Sequence, residues 1–209
     1  MREKYVFNRD EGGSREQGLY TFRKRIQLTM KMKRAFAGML AITAVTGLAF
    51  AQASPPMTTT TTLGGKAVTI KYSAPSVKGR KIFGGEGALQ PDNSVWRAGA
   101  NNATALHTDG DITIGTVNVP AGDYTLYVQL DPKGWQLIVS KQTGQWGINR
   151  DGSTTLDTSK ELGRTAMKMA KPASLVEQYK MTLAPGDGKK TTLTLEWEHV
   201  SASVNVSAK

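Results

Sequence analysis

The chain has 209 residues, a formal net charge of +10 and no cysteine. Without cysteine it can form neither a disulfide framework nor a lipid anchor on a thiol, so its stability must come from the core alone. Ten of the 27 lysines and arginines lie in residues 1–53 against four acids, and the other basic residues are spread without a block. This distribution argues against a nucleic-acid-binding surface.

The N-terminal quarter has the pattern of an export signal. A basic segment at residues 31–34 precedes an apolar run over residues 35–50 and the small-residue triplet Ala51-Gln52-Ala53. These are the three parts of a secretory signal peptide, which we predict over residues 30–53 with cleavage after Ala53. The apolar run is shorter than the roughly 20 residues that span a bilayer, so no membrane span is expected after cleavage.

The polar residues 1–29 precede this signal and match no targeting pattern. We therefore expect translation to begin at Met30 or Met32, which would make residues 1–29 an extension outside the native protein. The mature protein is then expected in the periplasm or outside the cell.

Residues 54–62 contain two adjacent prolines and five consecutive threonines, and they predict a short linker that passes into a strand. The residues that follow, 63–209, are predicted as one domain, since the 156 residues after the leader are enough for a single well-packed core.

Hydrophobic and polar residues alternate through most of this domain, as is typical of half-buried strands. Turns rich in glycine, proline and aspartate separate the runs, for example Asp131-Pro132-Lys133-Gly134. The predicted strand segments are residues 67–73, 104–108, 111–119 with a turn at Gly115, 124–130, 135–140, 161–169, 179–183, 193–197 and 202–206.

Three segments are less regular. Residues 143–158 form the longest irregular stretch, and residues 161–169 favour an edge strand although their alanine, methionine and lysine content also suits a helix. Residues 172–178 are expected to hold one helical turn. About nine short strands without a long amphipathic helix predict an all-β fold, an antiparallel β-sandwich in a single domain.

The stretch Val95–Thr104 combines an aromatic ring, a permanent cation and two amides between strand-like runs. Trp96, Arg97, Asn101 and Asn102 are candidate ligand-binding residues, because a guanidinium and amides give directional hydrogen bonds to carboxylates, phosphates or sugar hydroxyls. In the alternative interpretation, Arg97 forms an ion pair inside the fold and the asparagines occupy left-handed turn positions.

A second basic element precedes this stretch. Lys78, Arg80 and Lys81 lie in a glycine-containing loop and would enlarge an anion site if the two loops were adjacent. The alternative is a solvated basic loop with no ligand.

The four tryptophans divide into two pairs. Trp135 and Trp197 are in phase with aliphatic residues and predict core positions. Trp96 and Trp146 lie in or near irregular segments and are candidate platforms for a sugar ring, with core filling as the alternative.

Catalytic and metal-binding patterns are weak. His107 and His199 lack metal-ligand spacing, so we predict no metal and no cofactor. Glu196 and Glu198 would lie about 7 Å apart on one strand face, a spacing compatible with an inverting glycosidase, but strand carboxylates also simply face solvent. No catalytic residue is assigned.

Five segments carry a resemblance to a known family. They are YS-x-PSVKGRKIFG at residues 72–84, VWR-x-GAN-x-AT at residues 95–104, PAG-x-Y-x-LY at residues 120–127, KQTGQWG at residues 141–147 and LEW at residues 195–197. Together they resemble a family of exported bacterial proteins called domain of unknown function 2911. The resemblance covers nearly all of the chain after the leader and implies an export signal and a mostly β domain, but no activity.

The chain departs from that family's pattern at three positions of these motifs. Ala74 stands where arginine is common, Ala98 where threonine is usual, and Asn102 where a glutamate is frequent. If the family used that glutamate in catalysis, this chain would lack it.

We therefore expect a non-catalytic exported module that binds a small polar or anionic ligand or an envelope partner. A hydrolase acting on envelope or extracellular carbohydrate and a structural or assembly protein are the alternatives. An enzyme should show two converging acids, or an acid and a histidine, in a cleft, whereas a binding protein should show Arg97 and amides around a concavity without them.

Overall fold

The computed structural model describes residues 54–184 and 188–209. These residues form fifteen β-strands and one 3₁₀ turn at Thr158–Lys160. The strands are β1 (Pro56–Leu63), β2 (Lys66–Ser73), β3 (Phe83–Gly84), β4 (Gln90–Pro91), β5 (Val95–Trp96), β6 (Thr104–Thr108), β7 (Ile112–Ile114), β8 (Val117–Val119), β9 (Gly122–Gln129), β10 (Gln136–Ser140), β11 (Glu161–Ala166), β12 (Lys168–Ala170), β13 (Val176–Leu183), β14 (Lys190–Glu198) and β15 (Val200–Ala208).

The expected signal peptide at residues 30–53 and the extension at residues 1–29 lie outside the described residues. In the part of the chain that is described, no helix has the length and apolarity needed to cross a membrane.

The predicted all-β antiparallel sandwich is confirmed. One sheet has seven strands in the order β1-β2-β6-β9-β10-β11, with β5 also paired to β9. The other has six, in the order β13-β14-β15-β7-β8, with β12 also paired to β15. A separate pair of two-residue strands, β3 and β4, is parallel.

The chain crosses between the sheets twice in its middle section. After β6 it leaves the seven-stranded sheet for the β7–β8 hairpin of the other sheet, and β9 then returns beside β6. The turn of this hairpin is at Gly115, where a turn was predicted; Gly115 has a φ of +56°. The segment predicted at residues 111–119 with a turn at Gly115 is therefore two short strands, β7 and β8, paired as a hairpin.

The strand count is higher than the nine expected. Strands β3, β4 and β5 have two residues each, which is too short for an alternating pattern to reveal.

The prediction of a linker at residues 54–62 needs correction, because most of this segment forms strand β1. This strand pairs with β2 over its whole length, from Pro56 opposite Ser73 to Leu63 opposite Lys66. The β-branched threonines suit an extended backbone, and from Thr58 to Leu63 the side chains of this edge strand alternate between exposed and at least partly buried positions.

The helical turn expected at residues 172–178 is absent, because β13 begins at Val176. Backbone hydrogen bonds tie this segment to the chain before β3: Val77 N donates to Glu177 O at 2.8 Å and Tyr179 N to Pro75 O at 2.9 Å. The edge strand predicted at residues 161–169 is present as β11 at the sheet edge, followed by β12.

The core between the sheets contains an aromatic cluster at one end. Phe83 is its centre, with ring centroids 4.7 Å from Trp135, 5.5 Å from Trp96 and 5.7 Å from Trp197. All three tryptophans are buried, as predicted for Trp135 and Trp197. The cluster gives the loops at this end of the sandwich a rigid support.

Candidate functional site

The loop that follows β5 is closed on itself by buried hydrogen bonds. Thr104 N donates to Arg97 O at 3.2 Å, and Thr104 Oγ1 donates to Ala98 O at 2.8 Å. Ala98 and Asn101 take left-handed backbone conformations, with φ of +55° and +58°. These turns fix the backbone at Arg97, where the sheet ends.

Gly99 lets this loop lie directly on the end of β2. A Cβ at Gly99 would meet Ser73 O at 2.9 Å, closer than real Cβ contacts allow. The adjacent Ala100 N donates to the same carbonyl at 3.1 Å. Glycine is therefore required here by close packing against backbone.

The Arg97 side chain is half-buried and has no acidic partner. Its guanidinium carbon lies 5.4 Å from the centroid of the Trp146 ring, and Nη1 donates to Trp146 O at 3.1 Å. Among the described residues, no carboxylate lies within 4.0 Å of it, so the ion pair considered as an alternative is not formed. Burial lowers the pKa of Arg97, but a guanidinium is so strongly basic that it stays charged at neutral pH.

Gly147 brings the irregular segment against Arg97. Its φ is +90°, and a Cβ there would lie 2.7 Å from Arg97 Cβ and 2.9 Å from Ala103 Cβ. Ala103 N also donates to Gln145 O at 3.1 Å. The motifs at residues 95–104 and 141–147, which are far apart in sequence, therefore form one contact surface.

A small second core lies under this segment. Ala103, Tyr127 and Ile138 are buried together, and Gln145 Nε2 donates to the hydroxyl of Tyr127 at 2.9 Å. The packing holds the segment that carries Trp146 against the outer face of the seven-stranded sheet.

Acidic residues hold the basic loop by its backbone. Glu177 Oε1 accepts from Lys78 N at 2.9 Å, and Glu198 Oε1 accepts from Ile82 N at 3.2 Å. Arg80 instead donates to carbonyls of its own loop, from Nε to Val77 O at 3.1 Å and from Nη2 to Ser76 O at 2.6 Å. Its positive charge, like that of Arg97, has no carboxylate within 4.0 Å among the described residues.

The two arginines line one cleft of about 590 Å³. Its walls come from the loop at residues 80–91, from β5 and the loop after it, and from residues 147–152, with Trp197 of β14. No aspartate or glutamate of the described residues lines it. We call this feature the arginine cleft.

Four of the predicted site residues lie at or beside the arginine cleft. Arg80, Trp96 and Arg97 line the arginine cleft, and Trp146 adjoins it through its contact with Arg97. The remaining candidates, Lys78, Lys81, Asn101 and Asn102, do not line it.

Those four residues have other surroundings. The Lys81 ammonium donates to Glu86 O at 3.1 Å, and Lys78 and Asn102 are exposed. Asn101 Nδ2 donates to Ser73 Oγ at 3.3 Å and to Ser54 O at 3.4 Å, so it pins the loop to the start of the domain.

Sequence reasoning missed two residues at the mouth of the cleft. Leu89 and Ile148 line it while remaining 43% and 36% exposed. Neither belongs to an alternating run, so their only signal was an apolar residue inside a polar loop.

Comparison with known proteins identifies the family. The model of the family described as protein of unknown function DUF2911 matches residues 54–206. This chain belongs to the DUF2911 family. Searches among curated proteins and among solved structures found no match. The matched range contains both loops of the arginine cleft, and it confirms the resemblance seen in the sequence.

This DUF2911 domain has a second cleft, of about 600 Å³, on the outer face of the seven-stranded sheet. His107 lies in it between two carboxylates: Nδ1 is 2.8 Å from Asp123 Oδ1, and Nε2 is 2.9 Å from Asp109 Oδ1. The hydrogen bonds to Asp109 and Asp123 raise the pKa of His107. Each ring nitrogen of His107 therefore has a carboxylate partner in this structure.

The glutamate pair considered as glycosidase acids has structural partners. Glu196 forms an ion pair with Lys180 at 2.9 Å, and Glu198 accepts the hydrogen bond from Ile82 N. Both are partly buried rather than fully exposed to solvent. Within residues 54–184 and 188–209, no three histidine, aspartate or glutamate side chains are grouped so that they could hold a metal ion.

Proposed function

We propose that this DUF2911 protein is an exported, non-catalytic β-sandwich that binds a small anionic ligand in the arginine cleft. The observation that carries the proposal is the charge of the lining: two guanidiniums and, among the described residues, no acid. Export is supported by the signal-peptide pattern at residues 30–53.

The electrostatics of Arg97 support an anionic rather than a neutral ligand. A half-buried cation has lost part of its hydration, and no carboxylate of the described residues compensates for that loss. An incoming oxyanion would supply the missing counter-charge through charge-assisted hydrogen bonds.

Hydrogen-bond capacity supports the same class of ligand. Arg97 uses Nη1 for Trp146 O, and Arg80 uses Nε and Nη2 for its own loop, out of the five N–H donors that each guanidinium carries. The remaining donors have no partner in the described residues. A carboxylate or phosphate presents two or more charged oxygens to such donors, whereas a sugar hydroxyl presents a single neutral oxygen.

Sugar stacking has less support. Trp96 is only 2% exposed and so offers no open ring face, while the exposed Trp146 has the Arg97 guanidinium over its ring. The carbohydrate-hydrolase alternative also has less support. The acid–histidine arrangement in the second cleft has both ring nitrogens of His107 hydrogen-bonded to carboxylates.

A thermal-shift experiment tests the proposal. Protein purified from cells expressing the full chain is melted with acetate, benzoate, inorganic phosphate, glucose or benzyl alcohol at matched ionic strength. We expect at least one anion, and neither neutral compound, to raise the melting temperature; a ligand at ten times its Kd adds about 1.4 kcal/mol of stability.

The variant Arg97→Gln should abolish that shift, while Lys133→Ala should retain it. Lys133 is an exposed cation in the turn between β9 and β10 and does not line the cleft. Equal shifts in Arg97→Gln and Lys133→Ala would mean that the anion binds elsewhere, and the proposal would be wrong.

A further inference from the structure

Apolar side chains are concentrated at the mouth of the arginine cleft. The described residues include six large hydrophobic side chains that are exposed. Leu89 and Ile148 are two of them and line the cleft, and a third, Trp146, adjoins it next to Gly147. Half of the exposed large hydrophobic side chains in the described part of the chain therefore lie around one opening, whereas scattered single ones would need no explanation.

Apolar residues also contribute to the inner walls, beside polar ones. Pro75, Val95 and Ala100 contribute to them, and Trp96 and Trp197 reach the cleft from the aromatic cluster. Among the described residues, only Arg80 and Arg97 contribute charged side chains to the lining. A simple ion such as phosphate would satisfy the arginines and leave the apolar surface in contact with water.

We infer that the ligand of the arginine cleft is an amphiphilic anion, with one oxyanion head group on an apolar body. The inference rests on the proposed function and narrows the class of ligand. The head group pairs with Arg97 and Arg80, and the body covers Leu89 and Ile148. The cleft volume of about 590 Å³ lies within the range of about 300–1,000 Å³ that is usual for small-molecule sites, so the body is of metabolite size.

A chain-length series measured by calorimetric titration tests this inference. The probes are acetate, butanoate, hexanoate, octanoate and the neutral 1-octanol, added to protein purified from cells expressing the full chain. Complete burial of a methylene group corresponds to about fourfold in affinity, so a partly buried chain should gain about twofold or more per methylene. Octyl phosphate is compared with octanoate to identify the head group, and tighter binding of either supports the inference.

Variants of cleft residues measure the contributions of the ligand's apolar body and its head group to affinity separately. Leu89→Ser and Ile148→Ser should each reduce the ratio of octanoate to acetate affinity about threefold or more. Met169→Ser, at an exposed hydrophobic residue of β12 outside the cleft lining, should leave that ratio unchanged. Arg97→Gln should weaken acetate and octanoate by the same factor, about tenfold or more.

The outcomes distinguish this inference from the proposal beneath it. Equal affinity for acetate and octanoate, lost in Arg97→Gln, would refute an amphiphilic ligand and leave anion binding intact. Octanol binding as tightly as octanoate would refute the role of the head group. If no probe bound, both the inference and the proposed function would be overturned.

Discussion

Replacing Gly147 by alanine tests whether the segment 141–147 really packs on Arg97. The added Cβ would lie 2.7 Å from Arg97 Cβ, which is fixed to the backbone and cannot swing away. Two costs add. A residue with a Cβ at φ of +90° is strained by about 1–2 kcal/mol, and overpacking a close contact costs about 1–3 kcal/mol. The variant should therefore lose about 2–5 kcal/mol of unfolding free energy.

Gly144 provides a matched control in the same segment. Its φ is +79°, but a Cβ there would have no atom within 4 Å. Gly144→Ala should therefore show only the conformational cost, about 1–2 kcal/mol. The difference between the two variants, about 1–3 kcal/mol, measures the packing of Gly147 alone.

The assay is urea denaturation of both variants and the parent, with free energies obtained by linear extrapolation. The comparison is valid where the m-values agree, since a changed m-value signals a changed unfolded or native state. Equal losses in Gly147→Ala and Gly144→Ala would refute the close contact between the two motifs. In that case the position of Arg97 in the cleft would also have no support from this segment.

Three further predictions concern the core, the histidine and the leader. Tyr179→Phe should keep or raise the free energy of unfolding, because the buried Tyr179 hydroxyl has no partner among the described residues. Tyr72→Phe should lower it by about 1–3 kcal/mol, because Met181 N loses its hydrogen-bond acceptor. Equal effects of the two variants in urea denaturation would contradict this prediction. The raised pKa of His107 means that its stabilising contribution is present below its unfolded pKa, near 6.5, and is lost as pH rises through the higher folded value. The melting temperature of His107→Gln should therefore fall below that of the parent more at pH 6 than at pH 9. A pH-independent difference would refute the two-carboxylate contact. Mass spectrometry of the native protein should find Ser54 at the N-terminus, and an intact peptide containing Tyr20 in the exported protein would contradict both the cleavage site and the start codon.

The fold could be predicted from sequence where side chains alternate. The runs around Val68, Leu126, Leu137 and Leu195 gave correct strands, because one face of each is buried against the opposite sheet. A hydrophobic–polar pattern is lost where successive residues are of one type. Strand β1 contains five consecutive threonines, so its burial alternates between exposed and partly buried positions while its sequence does not, and the sequence predicts a linker over most of it.

The prediction of a helical turn at residues 172–178 was wrong for a different reason. Its local composition allowed a helical turn, but pairing with the chain near Pro75 and Val77, about a hundred residues earlier, decides its conformation. Such long-range hydrogen bonds leave no local pattern in the sequence.

The candidate site could likewise be predicted from the sequence only in part. Arg97 stands out in the sequence because a permanent cation follows a tryptophan in a loop with glycine. Its neighbours do not, since Arg80 and Ile148 reach the cleft from separate loops and Trp197 reaches it from the core. Chemistry at one position is visible in the sequence, whereas the convergence of four chain segments on that position depends on the topology of the two sheets.

The most direct test of anion binding in the arginine cleft is to observe the guanidinium signals themselves. The Nε–Hε NMR resonances of the arginines are followed while benzoate is added at constant ionic strength. We expect the Arg97 and Arg80 resonances to shift together and saturate with one Kd, while that of Arg164, which is already paired with Glu161 at 2.7 Å, stays unchanged. An Arg97 resonance that does not move, or small unsaturated shifts of equal size at every arginine, would contradict the proposed site.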